Sequence, residues 1–220
     1  MTSDIQNKPS RSKKPRLAQG RGREDGPSSF QDKPGLPARI AAARILAAVL
    51  EKKTSLDGML DSENGNSVYR ALSPADRALV RAIVNSALRH LPRIETALSM
   101  LLDGPLPQGA RSLHHILVVG AAQMLYLDVP DHSAVDLTVE QAHRDPRNRR
   151  FVKLVNAVLR RLGREKAEIE KAVAGVSVLP DWFYARLVSA YGHEVAQRIS
   201  DAAHTFFHRP HRQGRSCPLG

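Results

Sequence analysis

The chain has 220 residues and carries 33 Lys+Arg against 22 Asp+Glu, a formal charge of +11, so a polyanionic partner such as nucleic acid is one reading and a solvated basic surface the other. A hydrophobic content of 42% supplies a core, while the single cysteine, Cys217, excludes an internal disulfide and any cysteine-pair zinc site. Arg39, Arg44, Arg77, Arg81 and Arg89 interrupt every early apolar run short of membrane-spanning length, and no signal-peptide core follows the basic start, so a cytoplasmic protein is expected.

Residues 1–35 are polar, rich in Pro, Gly and Ser, and without apolar periodicity, which predicts a disordered tail. Its eight cations (Lys8, Arg11, Lys13, Lys14, Arg16, Arg21, Arg23, Lys33) against four anions (Asp4, Glu24, Asp25, Asp32) leave +4. Such an arm adds phosphate affinity or simply solubilises the chain.

From Pro37 the pattern becomes helical. ARIAAARILAAVLE sets Ala38, Ala42, Ile45, Leu46, Val49 and Leu50 on one face, with Arg44 and Glu51 opposite. Residues 57–66 read as a polar loop. SPADRALVRAIVNSALRHL then opens with Ser73 as N-cap, Pro74 at the first helical position and Asp76 three residues after the cap. Leu79, Ile83, Ala87 and Leu91 form its apolar side, and Arg81, Asn85 and Arg89 a polar ridge. Pro92 bends or restarts the helix before RIETALSMLL.

RSLHHILVVGAAQMLYL is the most apolar segment and is predicted to be the central helix, where Gly120 costs about 1 kcal/mol relative to alanine unless it permits a close helix contact. VPDHSAVDLTVEQAHRD follows as an amphipathic helix. FVKLVNAVLRRLGR comes next, then an acidic-basic helix from Glu165, LPDWFYARLVSAYG, and a last helix ending near Ala203. No strand-like alternation persists, so the class is all-α, a bundle of about seven to nine helices.

In FVKLVNAVLRRLGR, Phe151, Leu154, Val155, Val158, Leu159 and Leu162 share one face at about 100° per residue. Arg149, Lys153, Arg160 and Arg164 fall in a strip on the other, with Arg161 and Asn156 at the two margins. No acid lies between Asp145 and Glu165. The strip is either an RNA-backbone face or a solvated one. Asn156 either satisfies a neighbouring loop or helix end or meets an RNA base or ribose.

DRALVRAIVNSALR, ILVVGAAQMLYLDVPDHSAVDLTVEQA, FVKLVNAVLRR and LPDWFYARLVSAYG, in this order, resemble the NusB-like helical domain. The resemblance is to the form of it that opens the RsmB/Sun/Fmu family of small-subunit rRNA cytosine-C5 methyltransferases. NAVLRR and the Pro180-x-Trp182 turn carry the similarity to that branch. The resemblance implies an RNA-binding module for small-subunit ribosomal RNA, with Arg39, Arg44, Arg77, Arg81, Arg89, Asn156, Arg160 and Arg161 at matching positions. The alternative it implies is a free-standing antitermination adaptor that binds RNA and a ribosomal protein.

The family's catalytic half, with its S-adenosylmethionine loop and two cysteines, is not found in this sequence, so neither catalysis nor a cofactor is expected of this chain alone. The expected division is a tail over 1–35, a NusB-like domain over 36–175, a linker over 176–203 and a non-family tail over 204–220. That last tail, with His204, His208, His211 and Cys217, is read as truncated or out of frame, and a metal site there is disfavoured by Pro210 and the lack of carboxylates.

Overall fold

The computed structural model describes residues 33–107 and 109–207, without the side chains of 204–207. The basic arm up to Asp32 and the tail from His208, with His211 and Cys217, lie outside the described residues. Every described element is helical, as the periodicity predicts.

The first helix, α1 (Leu36–Lys52), carries Pro37 in its first turn, where no backbone N–H partner exists to be lost. Of residues 57–66, read as a loop, the first three belong to a short helix, α2 (Leu56–Met59), and a second, α3 (Ser67–Arg70), follows the rest. Each has a local cause. Ser55 Oγ accepts from the Gly58 N–H at 3.5 Å, and Asn66 Oδ1 accepts from Val68 and Tyr69 N–H groups at 3.0 and 3.3 Å.

Helix α4 (Pro74–Arg89) begins as the capping pattern predicts. Ser73 Oγ accepts from the Asp76 N–H at 3.1 Å and donates to the Asp76 carboxylate at 2.9 Å. His90 closes it, and α5 (Leu91–Leu101) restarts with Pro92 in its first turn. Then follow α6 (Arg111–Tyr126), α7 (Asp131–Arg144), a 3-10 turn at Arg149–Phe151 and α8 (Val152–Arg164). Three more helices complete the described chain: α9 (Lys166–Val173), α10 (Asp181–Tyr191) and α11 (His193–Phe207).

Helix α6 is the axle. It packs against α1, α4, α5, α7 and α8, and these five close a ring around it in the order α1, α7, α8, α5, α4. Its residues Leu113, Leu117, Val118, Val119, Ala121 and Ala122 are fully buried, which is why its sequence is apolar on all sides. Gly120 lets the ring close: a Cβ there would stand 2.9 Å from Leu159 Cδ1 on α8 and 3.1 Å from Thr138 Cγ2 on α7. The close approach anticipated for this glycine is thus present, and it joins α7 and α8 to α6.

Two departures from the sequence reading concern the ends. Lys33, assigned to the disordered tail, is placed against α7, with Nζ 2.8 Å from the Asp136 carboxylate and its own carbonyl accepting from the Leu36 N–H. Helix α11 runs past Ala203 to Phe207, because the first helix-breaking residue, Pro210, comes only later.

Between α9 and α10 the chain is pinned by one buried cation. Arg93 on α5 donates from Nε to the Val176 carbonyl at 2.8 Å and from Nη2 to the Ala174 carbonyl at 2.9 Å. Helices α10 and α11 pair with each other, with Tyr184 Oη donating to Gln197 Oε1 at 2.8 Å and Trp182 left 69% exposed.

Candidate nucleic-acid interface

Helix α8 separates its two chemistries cleanly. Val155, Val158, Leu159 and Leu162 are buried against the axle and its neighbours, and Phe151 and Leu154 are half-buried. Arg149, Lys153, Arg160 and Arg164 are all exposed, so the predicted strip faces outward. The first turn of α8 has no acidic residue and no side-chain cap, so the partial positive charge of its helix start adds to that of Arg149, Arg150 and Lys153.

Internal bonds hold parts of this face in fixed positions. Asn156 Oδ1 accepts from Arg160 Nε at 2.9 Å, so the boundary asparagine serves a guanidinium on its own helix. Arg149 Nε donates to the His143 carbonyl at 3.0 Å and ties the start of the strip to the end of α7. Arg161 is half-buried and chelates Glu165 from Nε at 2.9 and 3.1 Å, and this hydrogen bond raises the guanidinium pKa above its ordinary value. Its charge is therefore neutralised locally, unlike the charges of the strip.

The other predicted residues lie elsewhere. In the ring around α6, α8 is separated from α1 by α7 and from α4 by α5. Arg77, Arg81 and Arg89 on α4 therefore belong to the far side of the bundle from the α8 strip, while Arg44 on α1 faces the side next to α7. Arg39 does not reach the surface at all. It is 4% exposed, its Nη1 donates to the Gly35 carbonyl at 3.0 Å, and burial lowers its pKa while the Asp76 carboxylate opposes that shift. Arg81 stays exposed but donates to Tyr69 Oη at 2.7 Å and the Leu60 carbonyl at 3.3 Å, which clamps the α2–α3 segment onto α4. Arg77 and Arg89 are half-buried.

Sequence reasoning missed a cleft of about 730 Å³ between α1, α6, α7 and the loop after α7. Arg44, Lys52, Arg144 and Arg147 line it, with the Glu51 carboxylate among them, over an apolar base that includes Ile40, Ala47 and Ile116. Asp145 shapes its lip: its carboxylate accepts from the Arg147 N–H at 3.0 Å and from the buried Asn148 Nδ2 at 2.7 Å. Arg147 stands two residues before Arg149, so the cleft opens within about 7 Å of chain from the start of the α8 strip. The signal available in the sequence was the acid-free stretch of cations from Arg147 onward; its junction with Arg44 needed the fold.

A family model described as the NusB family matches residues 36–164, the span from the first residue of α1 to the last of α8. The chain belongs to the NusB family. Within the NusB-family segment fall the axle, its complete ring and both basic regions. The chain is 37% identical over 159 residues to the Ribosomal RNA small subunit methyltransferase B of Vibrio vulnificus, a match covering 70% of this chain and 35% of that protein. It is 38% identical over 169 residues to the protein of the same name from Xanthomonas campestris, covering 77% of this chain and 37% of that protein. The resemblance read from the four sequence blocks is thereby established. The chain spans about a third of the length of the curated relatives it matches.

S-adenosylmethionine, the methyl donor the methyltransferase resemblance implies, needs a strand, a glycine loop and a helix start to hold it. The described residues form helices only, with no strand among them, so they do not fit that cofactor. No helix among the described residues is long and apolar enough to cross a membrane.

Proposed function

We propose that this chain is an RNA-binding module of the NusB family that engages small-subunit ribosomal RNA through the outward face of α8. The observation that carries the reading is the exposure of Arg149, Lys153, Arg160 and Arg164 on a stretch without a single acid between Asp145 and Glu165. Each such cation displaces a condensed counterion from a phosphate backbone, and Arg147 and Arg150 extend the row at its N-terminal end. The printed names of the relatives support the RNA class, since both are ribosomal RNA methyltransferases of the small subunit.

The test is a salt titration of binding to single-stranded small-subunit rRNA fragments, with Arg149, Lys153, Arg160 and Arg164 changed together to glutamine. Four lost single-strand phosphate contacts reduce the log–log salt slope by up to about 3. Helicity must stay that of the parent chain. An unchanged slope moves the interface off α8.

A ribosomal protein as a second partner is the adaptor reading. The exposed aromatic pair Trp182 and Phe183 at the start of α10, with ring centroids 5.5 Å apart, favours it as a protein-contact surface. Co-precipitation of a ribosomal protein that is lost on Trp182→Ala supports the adaptor, and recovery of ribosomal RNA alone removes it.

A further inference from the structure

We infer that the cleft between α1, α6 and α7 receives one unpaired nucleotide of the RNA strand that lies along α8; the inference rests on the RNA-binding reading above. Three features of the cleft match the parts of a nucleotide. Its volume of about 730 Å³ lies in the range of ligand sites. Its apolar base, with Ile40, Ala47 and Ile116, suits the flat face of a base, while Arg44 and Arg147 supply guanidinium groups for phosphate; Arg144 beside them is held by Glu140 at 2.8 Å.

The third feature is Gln141. It lines the cleft, is 5% exposed, and its Oε1 has no hydrogen-bond partner. A buried amide oxygen without a donor costs about 1–3 kcal/mol, so an arrangement of this kind calls for a ligand or a functional reason. The terminal amide torsion is soft, and an entering base turns the oxygen toward an N–H on its own edge. Chain continuity places the site usefully: Arg147 on the lip and Arg149 at the head of the strip are two residues apart, so a strand bound to α8 reaches the cleft without spanning a gap.

A base in this cleft makes binding depend on the base and not only on the backbone. The experiment compares the full chain on a short single-stranded RNA and on the same RNA with one abasic residue, scanned position by position. At one register the abasic strand binds the parent chain about fivefold to tenfold more weakly. Ala47→Phe, which fills the cleft from α1, and Gln141→Leu, which keeps the shape and removes the amide, each abolish that difference. A second measurement does not use a strand. Uridine or adenosine monophosphate shifts the Gln141 side-chain amide and His115 ring resonances, and inorganic phosphate alone leaves the Gln141 signal in place.

Salt-dependent RNA binding with no abasic-sensitive register and no nucleotide-induced shift overturns the cleft inference and leaves the α8 reading standing. Absence of binding by either strand and by either nucleotide overturns both. A nucleotide-induced shift without strand binding keeps the cleft as a mononucleotide site and removes the strand that was inferred to feed it.

Discussion

Asn156 Oδ1 accepts a hydrogen bond from Arg160 Nε at 2.9 Å, one turn further along α8. The bond restricts a long side chain whose rotamer freedom would otherwise be lost on binding, and so presents the guanidinium in place. Asn156→Ala is predicted to weaken RNA binding about twofold to threefold while leaving the salt slope unchanged, because no charge is removed. Titrations at several salt concentrations check both quantities together. A changed slope would show that Asn156 acts on charge and not on position.

Gly120 is the position where the axle admits two neighbours. Gly120→Val places branches where Leu159 Cδ1 and Thr138 Cγ2 already stand 2.9 and 3.1 Å from a single added carbon. The overlap is predicted to destabilise the bundle by about 2–4 kcal/mol. Gly120→Ala costs less, since a helix-propensity gain of about 1 kcal/mol offsets part of the strain. Denaturant midpoints of the two variants give the order; a Val variant as stable as the parent chain contradicts the close crossing.

Arg93 holds the carbonyls of Ala174 and Val176 from α5, at 8% exposure. Arg93→Ala leaves both acceptors without their charged donor and is predicted to cost about 2–4 kcal/mol. The loss is concentrated in the link to α10, so limited proteolysis between α9 and α10 should accelerate more than cleavage elsewhere. Uniform acceleration would assign Arg93 to global stability only.

His115 sits at 4% exposure, with Nε2 3.6 Å from Glu51 Oε1. Burial lowers its pKa below the ordinary 6.5, with His114 and Arg111 acting in the same direction and Glu51 and the Arg111 backbone against it. Because the folded pKa lies below the unfolded one, the unfolded chain binds the extra proton between them. The contribution of His115 is therefore complete above pH 6.5 and is lost as pH falls from there through the folded value. His115→Gln should flatten the fall in stability as the pH drops below 6.5, measured by urea unfolding at each pH. An equally steep fall in the variant would assign the acid sensitivity to other groups.

Much of the helical content was legible because its signals are local. Ser73, Pro74 and Asp76 start α4 by contacts within one turn, and Pro92 restarts the next helix by steric exclusion. The short helices α2 and α3 are not legible in this way, since four residues give no periodicity and only Ser55 and Asn66 as caps announce them. The α8 strip was legible for the same reason as its buried face: thirteen residues at a fixed angular step place cation and hydrocarbon on opposite sides.

The candidate interface as a whole was not legible in that way. Arg39, Arg44 and Arg149 look equivalent in a sequence, yet the first is buried against Gly35, the second lines a cleft, and the third heads an exposed strip. What the sequence by itself determined is the set of amphipathic helices, the central place of α6 and the outward face of α8, because these follow from backbone periodicity and the burial of apolar surface. Only the tertiary structure decided the order α1, α7, α8, α5, α4 around that axle. That order sets α8 opposite the α1–α4 pair and brings Gln141, Arg44 and Arg147 into one cleft. The physical reason is that ring order depends on which side chains fit at each helix crossing, as Gly120 does between Leu159 and Thr138, and such a fit joins residues far apart in the chain.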